Sequence, residues 1–196
     1  MSRLVSRAWY APVLALAFVA GCMQPHPPEM PKKPTPAPEM QKLSRFLGNW
    51  TSTWEMVKPT PEEMKKMMPD MPGTGKGGGK YELGWGGLVL KGTMWNEMGK
   101  DKMNGEEEWM WDAHAKKYRT FWRSDWNEMG SGWAWWCGDD CICMKAEYYS
   151  PMHGADVKGE GCLKFVDNDT LEFCWAEKGF LGTTMMEMKG TSKRTK

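Results

Sequence analysis

The sequence is short of the residues on which most enzyme active sites depend. It has three histidines, His26, His114 and His153, and each falls in a proline-rich segment or between predicted strands, where a histidine is more often solvated than catalytic. It has no Cys-x-x-Cys pair, the usual redox spacing. The formal net charge is only +1, which argues against a basic surface for nucleic acid. We therefore expect neither an enzyme nor a nucleic-acid-binding protein, and no cofactor.

Long hydrophobic runs are also scarce. The longest, Ala8–Ala20, has thirteen residues, whereas a helix needs about 20 to cross a bilayer. Arg3 and Arg7 precede the run, and small residues lead from it to Cys22. This order is typical of a secretory signal, and it resembles the lipobox of bacterial lipoproteins. The resemblance implies that residues 1–21 are removed and that Cys22 carries lipid. An ordinary signal peptide with a chance cysteine is the alternative.

Proline dominates the segment that follows. Residues 22–38 contain seven prolines, and proline disfavours both helix and sheet. We interpret this segment as an extended tether that leads to a domain at 39–196. Together with the lipobox, it predicts a protein of the cell envelope, anchored to the membrane through lipid on the periplasmic face of the outer membrane. The sequence gives no indication of the oligomeric state.

From residue 39 onward the pattern is that of an all-β domain. Bulky and polar residues alternate in short segments that Gly, Asn and Asp separate. Short connections favour antiparallel neighbours and closure removes exposed edges, so we predict a single meander barrel of about ten strands. A short helix over PEMQKLSRFLG precedes the first strand; a second begins at Pro61, ends at Pro69 and leads into a flexible glycine loop, GTGKGGGK. The predicted strands are Trp50–Val57, Lys80–Trp85, Leu88–Glu97, Glu106–Trp111, Tyr118–Asp125, Gly132–Cys137, Cys141–Ser150, Val157–Val166, Thr170–Ala176 and Thr183–Thr191.

Several motifs resemble one superfamily. A helix followed by Gly48-Asn49-Trp50 resembles the opening of calycin and lipocalin-like barrels. The stretches YELGWGGLVLKG, WMWDAHAKKYRTFWRSD and MKGTSKRTK are similar to an uncharacterised bacterial secreted family of that superfamily, a domain of unknown function. The resemblance implies a calycin-like barrel and supplies no catalytic residue. It also implies that a basic residue near the chain end, here Arg194, stacks over Trp50 of the first strand.

The hairpin EGCLKFVDNDTLEFCWAE predicts its own register. With Asp167–Asp169 as the loop, apolar residues face apolar residues, Lys164 faces Glu172, and Cys162 faces Cys174. A slip of one residue would lose all of these pairs at once. Opposed residues lie within disulfide range, and an exported protein meets an oxidising compartment. Cys162 and Cys174 are therefore predicted to be bonded.

The stretch GWAWWCGDDCIC is interpreted as a second hairpin. With Gly138–Asp140 as the loop, Cys137 opposes Cys141, and these two are the second predicted disulfide pair. Cys143 is then the unpaired cysteine, although it could instead bond Cys162 on the next strand. Cys-x3-Cys-x-Cys is not a standard zinc spacing, so no metal site is predicted from it.

Aromatic residues gather on one predicted face. If Trp111 pairs with Tyr118, then Trp109 and Trp122 share their face, which should be the barrel interior, while charged residues point outward. We predict that these four residues contact a small apolar ligand. The alternative is a barrel filled by side chains, which would serve as a structural or interaction module of the envelope.

Methionine suggests a third function. Four methionines recur with the spacing of one helix face, and thioethers suit Cu(I). They are Met64, Met67, Met68 and Met71. Because the chain has 19 methionines, a helix face that packs over the barrel is the simpler interpretation.

Overall fold

Ten antiparallel strands form a closed barrel, as the sequence predicts. Each strand pairs with the next along the chain, and β1 pairs with β10 to complete the closure. The computed structural model describes residues 32–67, 69 and 73–196, without the side chain of Met67. The predicted signal peptide, Cys22, most of the tether, Met68 and Met71 lie outside the described residues. The strands are β1 (Gly48–Lys58), β2 (Thr74–Gly84), β3 (Val89–Met98), β4 (Asp101–Asp112), β5 (Lys117–Ser124), β6 (Met129–Trp136), β7 (Cys141–Ser150), β8 (Ala155–Phe165), β9 (Thr170–Lys178) and β10 (Thr184–Thr195).

Two short helices lie where the sequence predicts them. α1 (Pro38–Lys42) continues into a 3-10 helix (Leu43–Phe46) that leads into β1, and α2 (Pro61–Met67) follows β1. Thr60 and Glu63 cap the start of α2 reciprocally, since each side chain accepts a hydrogen bond from the other's backbone amide, at 3.3 and 2.7 Å. Within the described residues, no helix combines the length and the apolar character needed to cross a membrane.

The predicted glycine loop is wrong, because GTGKGGGK belongs almost entirely to β2. Glycine has little intrinsic preference for strands, which is why the sequence pattern indicates a loop. In the barrel this segment pairs with β1 on one side and β3 on the other. A Cβ atom at Gly75 would lie 2.2 Å from the ring of Trp54. The missing side chain therefore makes room for an indole inside the barrel.

The three registers deduced from the sequence are confirmed; between β6 and β7, Trp136 faces Ile142, as a loop at Gly138–Asp140 requires. Cys162 faces Cys174 between β8 and β9, and Trp111 faces Tyr118 between β4 and β5. On β4 and β5 the outward face carries charge, as at the ion pair of Glu106 with Arg123. Alternation along the strands thus sorts the residues correctly between the interior and the outer wall.

The disulfide pairing differs from the prediction. The bond joins Cys137 to Cys143, whose Cα atoms are 5.8 Å apart, whereas Cys141, Cys162 and Cys174 are free thiols. Cys141 and Cys143 share one face of β7 because they are two residues apart. Cys137 follows the end of β6, so its side chain can reach either of them, and register alone did not decide between them. At the second pair, the Sγ atoms of Cys162 and Cys174 are 2.7 Å apart without a bond.

The helical segment before β1 seals one end of the barrel, which we call the sealed end. Met40, Leu43 and Phe46 are at most 3 % exposed. They pack into a core with interior residues of the strands. These are Trp50, Leu90, Trp109, Tyr118, Ala134, Ile142, Phe165 and Leu171. These side chains close this half of the barrel around a smaller cavity of about 240 Å³, which Phe46, Trp50, Leu90 and Leu171 help to line.

Arg194 stacks over Trp50 at the sealed end, as the resemblance implies. The guanidinium carbon lies 4.4 Å from the ring centroid. The same side chain donates hydrogen bonds to the backbone oxygens of Leu47, Arg45 and Asn168. It therefore connects β10 to the 3-10 helix region and to the β8–β9 loop.

Candidate functional site

A cavity of about 400 Å³ occupies the other half of the barrel. Residues of the β5–β6 and β7–β8 connections help to enclose it, and in a meander these connections lie opposite the sealed end. We call this the cavity end. Aromatic rings and thioethers make up most of its wall. They are Trp54, Met56, Met94, Met98, Met103, Trp109, Trp122, Trp126, Met144, Tyr148, Met152, Trp175, Met186 and Met188.

The structure places two of the four predicted ligand-contacting residues at this cavity. Trp109 and Trp122 line it. Tyr118 is fully buried at the sealed end, where its hydroxyl donates to the Glu39 carbonyl at 2.8 Å. The ring of Trp111 packs edge-on against Tyr118, with 5.2 Å between centroids. Trp111 and Tyr118 therefore belong to the packed core, because the shared face of β4 and β5 extends into both halves of the barrel.

Glycines on neighbouring strands make room for the cavity indoles. A Cβ atom at Gly130, the cross-strand partner of Trp122, would lie 2.2 Å from that ring. A Cβ atom at Gly159 would lie 2.0 Å from the ring of Trp175, and the arrangement repeats at Gly75. Each of these rings occupies the space that a side chain at the glycine would take.

A buried carboxylate network lines one side of the cavity. Glu177 is 5 % exposed, and the hydroxyl of Tyr148 donates to its Oε1 atom. Trp175 Nε1 donates in turn to the Tyr148 hydroxyl at 3.3 Å. Burial raises the pKa of Tyr148, and the Glu177 carboxylate raises it further. The phenol therefore remains a hydrogen-bond donor at any physiological pH.

Two groups at the cavity are buried without a hydrogen-bond partner. Glu177 Oε2 lies 3.0 Å from Nε2 of His153, but not in hydrogen-bond geometry, so neither atom is satisfied. Trp54 is 6 % exposed, and its Nε1 donor also has no partner. Burying such groups costs about 1–3 kcal/mol each. An unpaired acceptor and an unpaired donor at one cavity are an arrangement that a ligand with matching groups can satisfy.

Two further carboxyl groups line the cavity. Glu107 accepts hydrogen bonds from the Tyr81 hydroxyl and from Trp109 Nε1, the latter at 3.0 Å. Burial raises the pKa of Glu107, and these bonds oppose the rise. Burial also raises the pKa of Glu128, with a smaller contribution from the charge of Glu177. Burial thus favours the neutral form of both groups unless positive charge enters the cavity.

Among the described residues that line the cavity, no basic side chain offsets these carboxyl groups. Just outside the lining, Nε2 of His153 lies 3.0 Å from Glu177 Oε2 and forms an ion pair with it when the imidazole is protonated. Lys145 is the one basic residue in the lining. Its ammonium group lies outside the barrel, 3.3 Å from Glu160, and its side chain is 62 % exposed. The polar character of the cavity is therefore acidic.

Of the four methionines proposed as copper ligands, only Met64 has a described side chain. Met64 is 2 % exposed and packs with Trp54, Met56 and Met186, which is the helix-face packing given as the simpler interpretation. Met68 and Met71 lie outside the described residues, as does the side chain of Met67. Copper binding by this set stays a prediction.

Sequence reasoning missed Glu177, although a signal was present. Leu171, Phe173 and Trp175 occupy every second position of β9, and Glu177 continues the same alternation into the interior. The predicted strand ends at Ala176, two residues before the end of β9, and so leaves Glu177 out. His153 was interpreted as a turn residue, and nothing local in the sequence places it beside a carboxylate 24 positions later.

Comparisons with known proteins agree with the fold. No family model and no curated sequence matches the chain. Among solved structures, Rv2717c from M. tuberculosis is 13% identical with a TM-score of 0.57, over 82% of this chain and 99% of that one. The S-type phycobiliprotein lyase CPES from Guillardia theta is 9% identical with a TM-score of 0.47, over 80% and 92% of the two chains. A redesigned β-barrel, mFAP1, solved bound to DFHBI, is 14% identical with a TM-score of 0.40, over 78% and 98%. At these identities the likeness shows the fold alone, and the match to Rv2717c agrees with a closed antiparallel barrel of ten strands.

Proposed function

We propose that this protein binds, without converting it chemically, a small and mostly apolar molecule that carries a protonated amine or a comparable N–H donor. The observation that carries the proposal is the cavity itself, in which Trp54 Nε1 and Glu177 Oε2 are buried without hydrogen-bond partners. A ligand that accepts from the indole and donates to the carboxylate would satisfy both groups.

The size and lining of the cavity support a ligand rather than a filled barrel. Ligand pockets in proteins span roughly 300–1,000 Å³ and are mostly apolar with a few placed polar groups. A volume of about 400 Å³ lined by indoles and thioethers fits this range. Indole faces also attract cations, so the same wall suits both the apolar body and a cationic group.

The charge of the cavity supports the amine. Three carboxyl groups line it, those of Glu107, Glu128 and Glu177. Taking an ammonium group out of water is costly unless it is paired and hydrogen-bonded. Glu177, held by Tyr148, is a positioned partner for such a group. An anionic ligand such as a fatty acid would instead meet the Glu177 carboxylate without a cation to offer it.

Matched ligand pairs test this function. We expect 2-naphthylmethylamine to quench the intrinsic tryptophan emission and to bind at least tenfold more tightly than 2-naphthylmethanol, because only the amine makes a charge-assisted bond to Glu177. Glu177→Gln should remove that preference and leave the alcohol unaffected. Glu172→Gln is the matched control, since Glu172 is exposed on the outer face of the same strand.

Two outcomes of this titration contradict the proposal. If neither compound, nor a wider panel of fatty acids and aromatic alcohols, changes the tryptophan emission, the barrel is a filled structural module. If the alcohol binds as tightly as the amine, the acidic groups do not select the ligand.

We further propose that the barrel is held at the cell envelope by lipid on Cys22. This proposal is supported by the signal-like residues 1–21 and the proline-rich residues 22–38 of the sequence. Fractionation of cells that produce Cys22→Ser tests it. The variant should move from the membrane fraction to the soluble fraction, and an unchanged distribution would refute lipid anchoring.

A further inference from the structure

Five cysteines lie together on the outer wall of the barrel, away from the cavity. Cys143 of β7 is the direct cross-strand partner of Cys162 on β8, and Cys162 is the partner of Cys174 on β9. Cys141 shares the outward face of β7 with Cys143, and Cys137 lies at the end of the adjacent strand. The pairing of consecutive strands thus gathers thiols from positions up to 37 residues apart in the chain.

Three of the sulfur atoms form a compact group. The Sγ atoms of Cys137, Cys141 and Cys143 all lie within 4.8 Å of one another. Cys137 and Cys141 are 3.5 Å apart, while Cys137 and Cys143 are bonded. Around a tetrahedral ion with metal–sulfur distances of about 2.3 Å, sulfur ligands stand about 3.8 Å apart. Reduction of the Cys137–Cys143 bond would allow all three sulfur atoms to take up such distances.

We propose that these three cysteines, once the Cys137–Cys143 bond is reduced, form a thiolate site for a soft d10 metal ion of the Zn²⁺ type, with Cys162 as the fourth donor. The spacing along the sequence is not that of a zinc motif, because two strands and a tight hairpin assemble the site instead of a single loop. Thiolate sulfur is the ligand that such ions prefer. Cys162 is the nearest additional thiol, since it directly opposes Cys143.

The disulfide closes this site and its reduction opens it. In the bonded form the sulfur atoms of Cys137 and Cys143 are neutral and cannot act as thiolate ligands. A dithiol reductant breaks the Cys137–Cys143 bond, becomes a disulfide itself, and leaves one proton on each released sulfur. The metal ion then displaces the protons of its ligands to solvent. Metal loading is therefore expected only after a two-electron reduction.

Zinc titration of the tag-free chain tests the proposal. The reduced chain should bind one Zn²⁺ in competition with a chromophoric chelator, and the unreduced chain should bind none at that site. Cys141→Ser removes a donor that takes no part in the disulfide, and it should weaken binding by about 100-fold or more, since even the loss of an outer-shell partner costs 10–100-fold. Cys174→Ser is the matched control. It removes the thiol on β9, two strands away from Cys143, and should retain tight binding.

Several results would overturn the site. These are the absence of one-to-one binding by the reduced chain, equal binding by the reduced and unreduced chains, or equal losses in the two serine variants. Circular dichroism of each variant establishes that the barrel is intact. Because both substitutions lie on the outer wall, naphthylmethylamine binding in the cavity should be unchanged in either, which keeps this test separate from that of the proposed function.

Discussion

Replacing Arg194 with alanine is expected to lower the free energy of unfolding by roughly 3 kcal/mol, because the substitution leaves backbone carbonyls at the sealed end without a donor. The guanidinium group reaches the carbonyls of Arg45, Leu47 and Asn168 and also stacks on Trp50. Bonds from a charged donor contribute about 1.5–3 kcal/mol each, and their sum is rarely additive. Urea unfolding, followed by tryptophan emission, measures the change.

The geometry of the chain at this point explains why arginine is suited to the position. Gly48 has φ of 108°, a conformation that side chains other than glycine rarely adopt, and it turns the chain from the 3-10 helix region into β1. A Cβ atom there would lie 3.3 Å from the Arg194 guanidinium. Lysine at position 194 could place one ammonium group but not the planar fork that serves several carbonyls at once. Arg194→Lys should therefore recover only part of the loss.

Arg119→Ala is the matched control for this effect. Arg119 also stacks on an indole, with its guanidinium carbon 3.8 Å from the ring centroid of Trp133. An exposed cation–π contact is worth about 0.5–1 kcal/mol, so this variant should lose no more than that. If Arg194→Ala costs no more than Arg119→Ala, the carbonyl bonds at the sealed end contribute little to stability.

The second large effect is expected from filling the cavity. Ala146 is 7 % exposed and lines the cavity with a single methyl group. Ala146→Leu would extend three further carbons into the space that the ligand needs. We expect the affinity for 2-naphthylmethylamine to fall about 100-fold, since a single methylene in a hydrophobic pocket changes binding about 10–200-fold. The unfolding free energy should change far less, because the added carbons enter an existing space.

Ala176→Leu controls for the size of the substitution. Ala176 lies on the outer face of β9, where its partners are Glu160 and Glu187, so leucine there does not enter the barrel. Fluorescence titration of both variants, with urea unfolding alongside, separates occupancy of the cavity from general damage. Equal affinity in Ala146→Leu and the parent chain would show that the amine binds elsewhere.

The fold was predictable from the sequence because strand alternation and hairpin loops determine it locally. The loop at Asp167–Asp169 fixes the β8–β9 register, and only one register brings Cys162 opposite Cys174. The glycine-rich start of β2 was not predictable in the same way. Its strand conformation depends on hydrogen bonds to β1 and β3 and on the ring of Trp54 beside Gly75, and all of these are tertiary contacts.

The site was predictable only in part. Alternation shows which residues face the interior, and it correctly placed Trp109 and Trp122 there. It does not show how far along the axis the helical segment before β1 fills the barrel, and for that reason Trp111 and Tyr118 were assigned to a ligand rather than to packing. The predicted Cys137–Cys141 bond is wrong for a related reason, since two cysteines on one face of β7 are both within reach of Cys137 and the bond joins it to Cys143.

The sealed end also determines from which end of the barrel a ligand can reach the cavity. The chain enters the barrel there, with Pro36 next to Gly87 and Pro38 at the start of α1. The rim around the cavity is at the far ends of strands of about ten residues, on the order of 30 Å away before tilt is considered. A molecule can therefore approach that rim without passing α1 or the 3-10 helix, which close the opposite end.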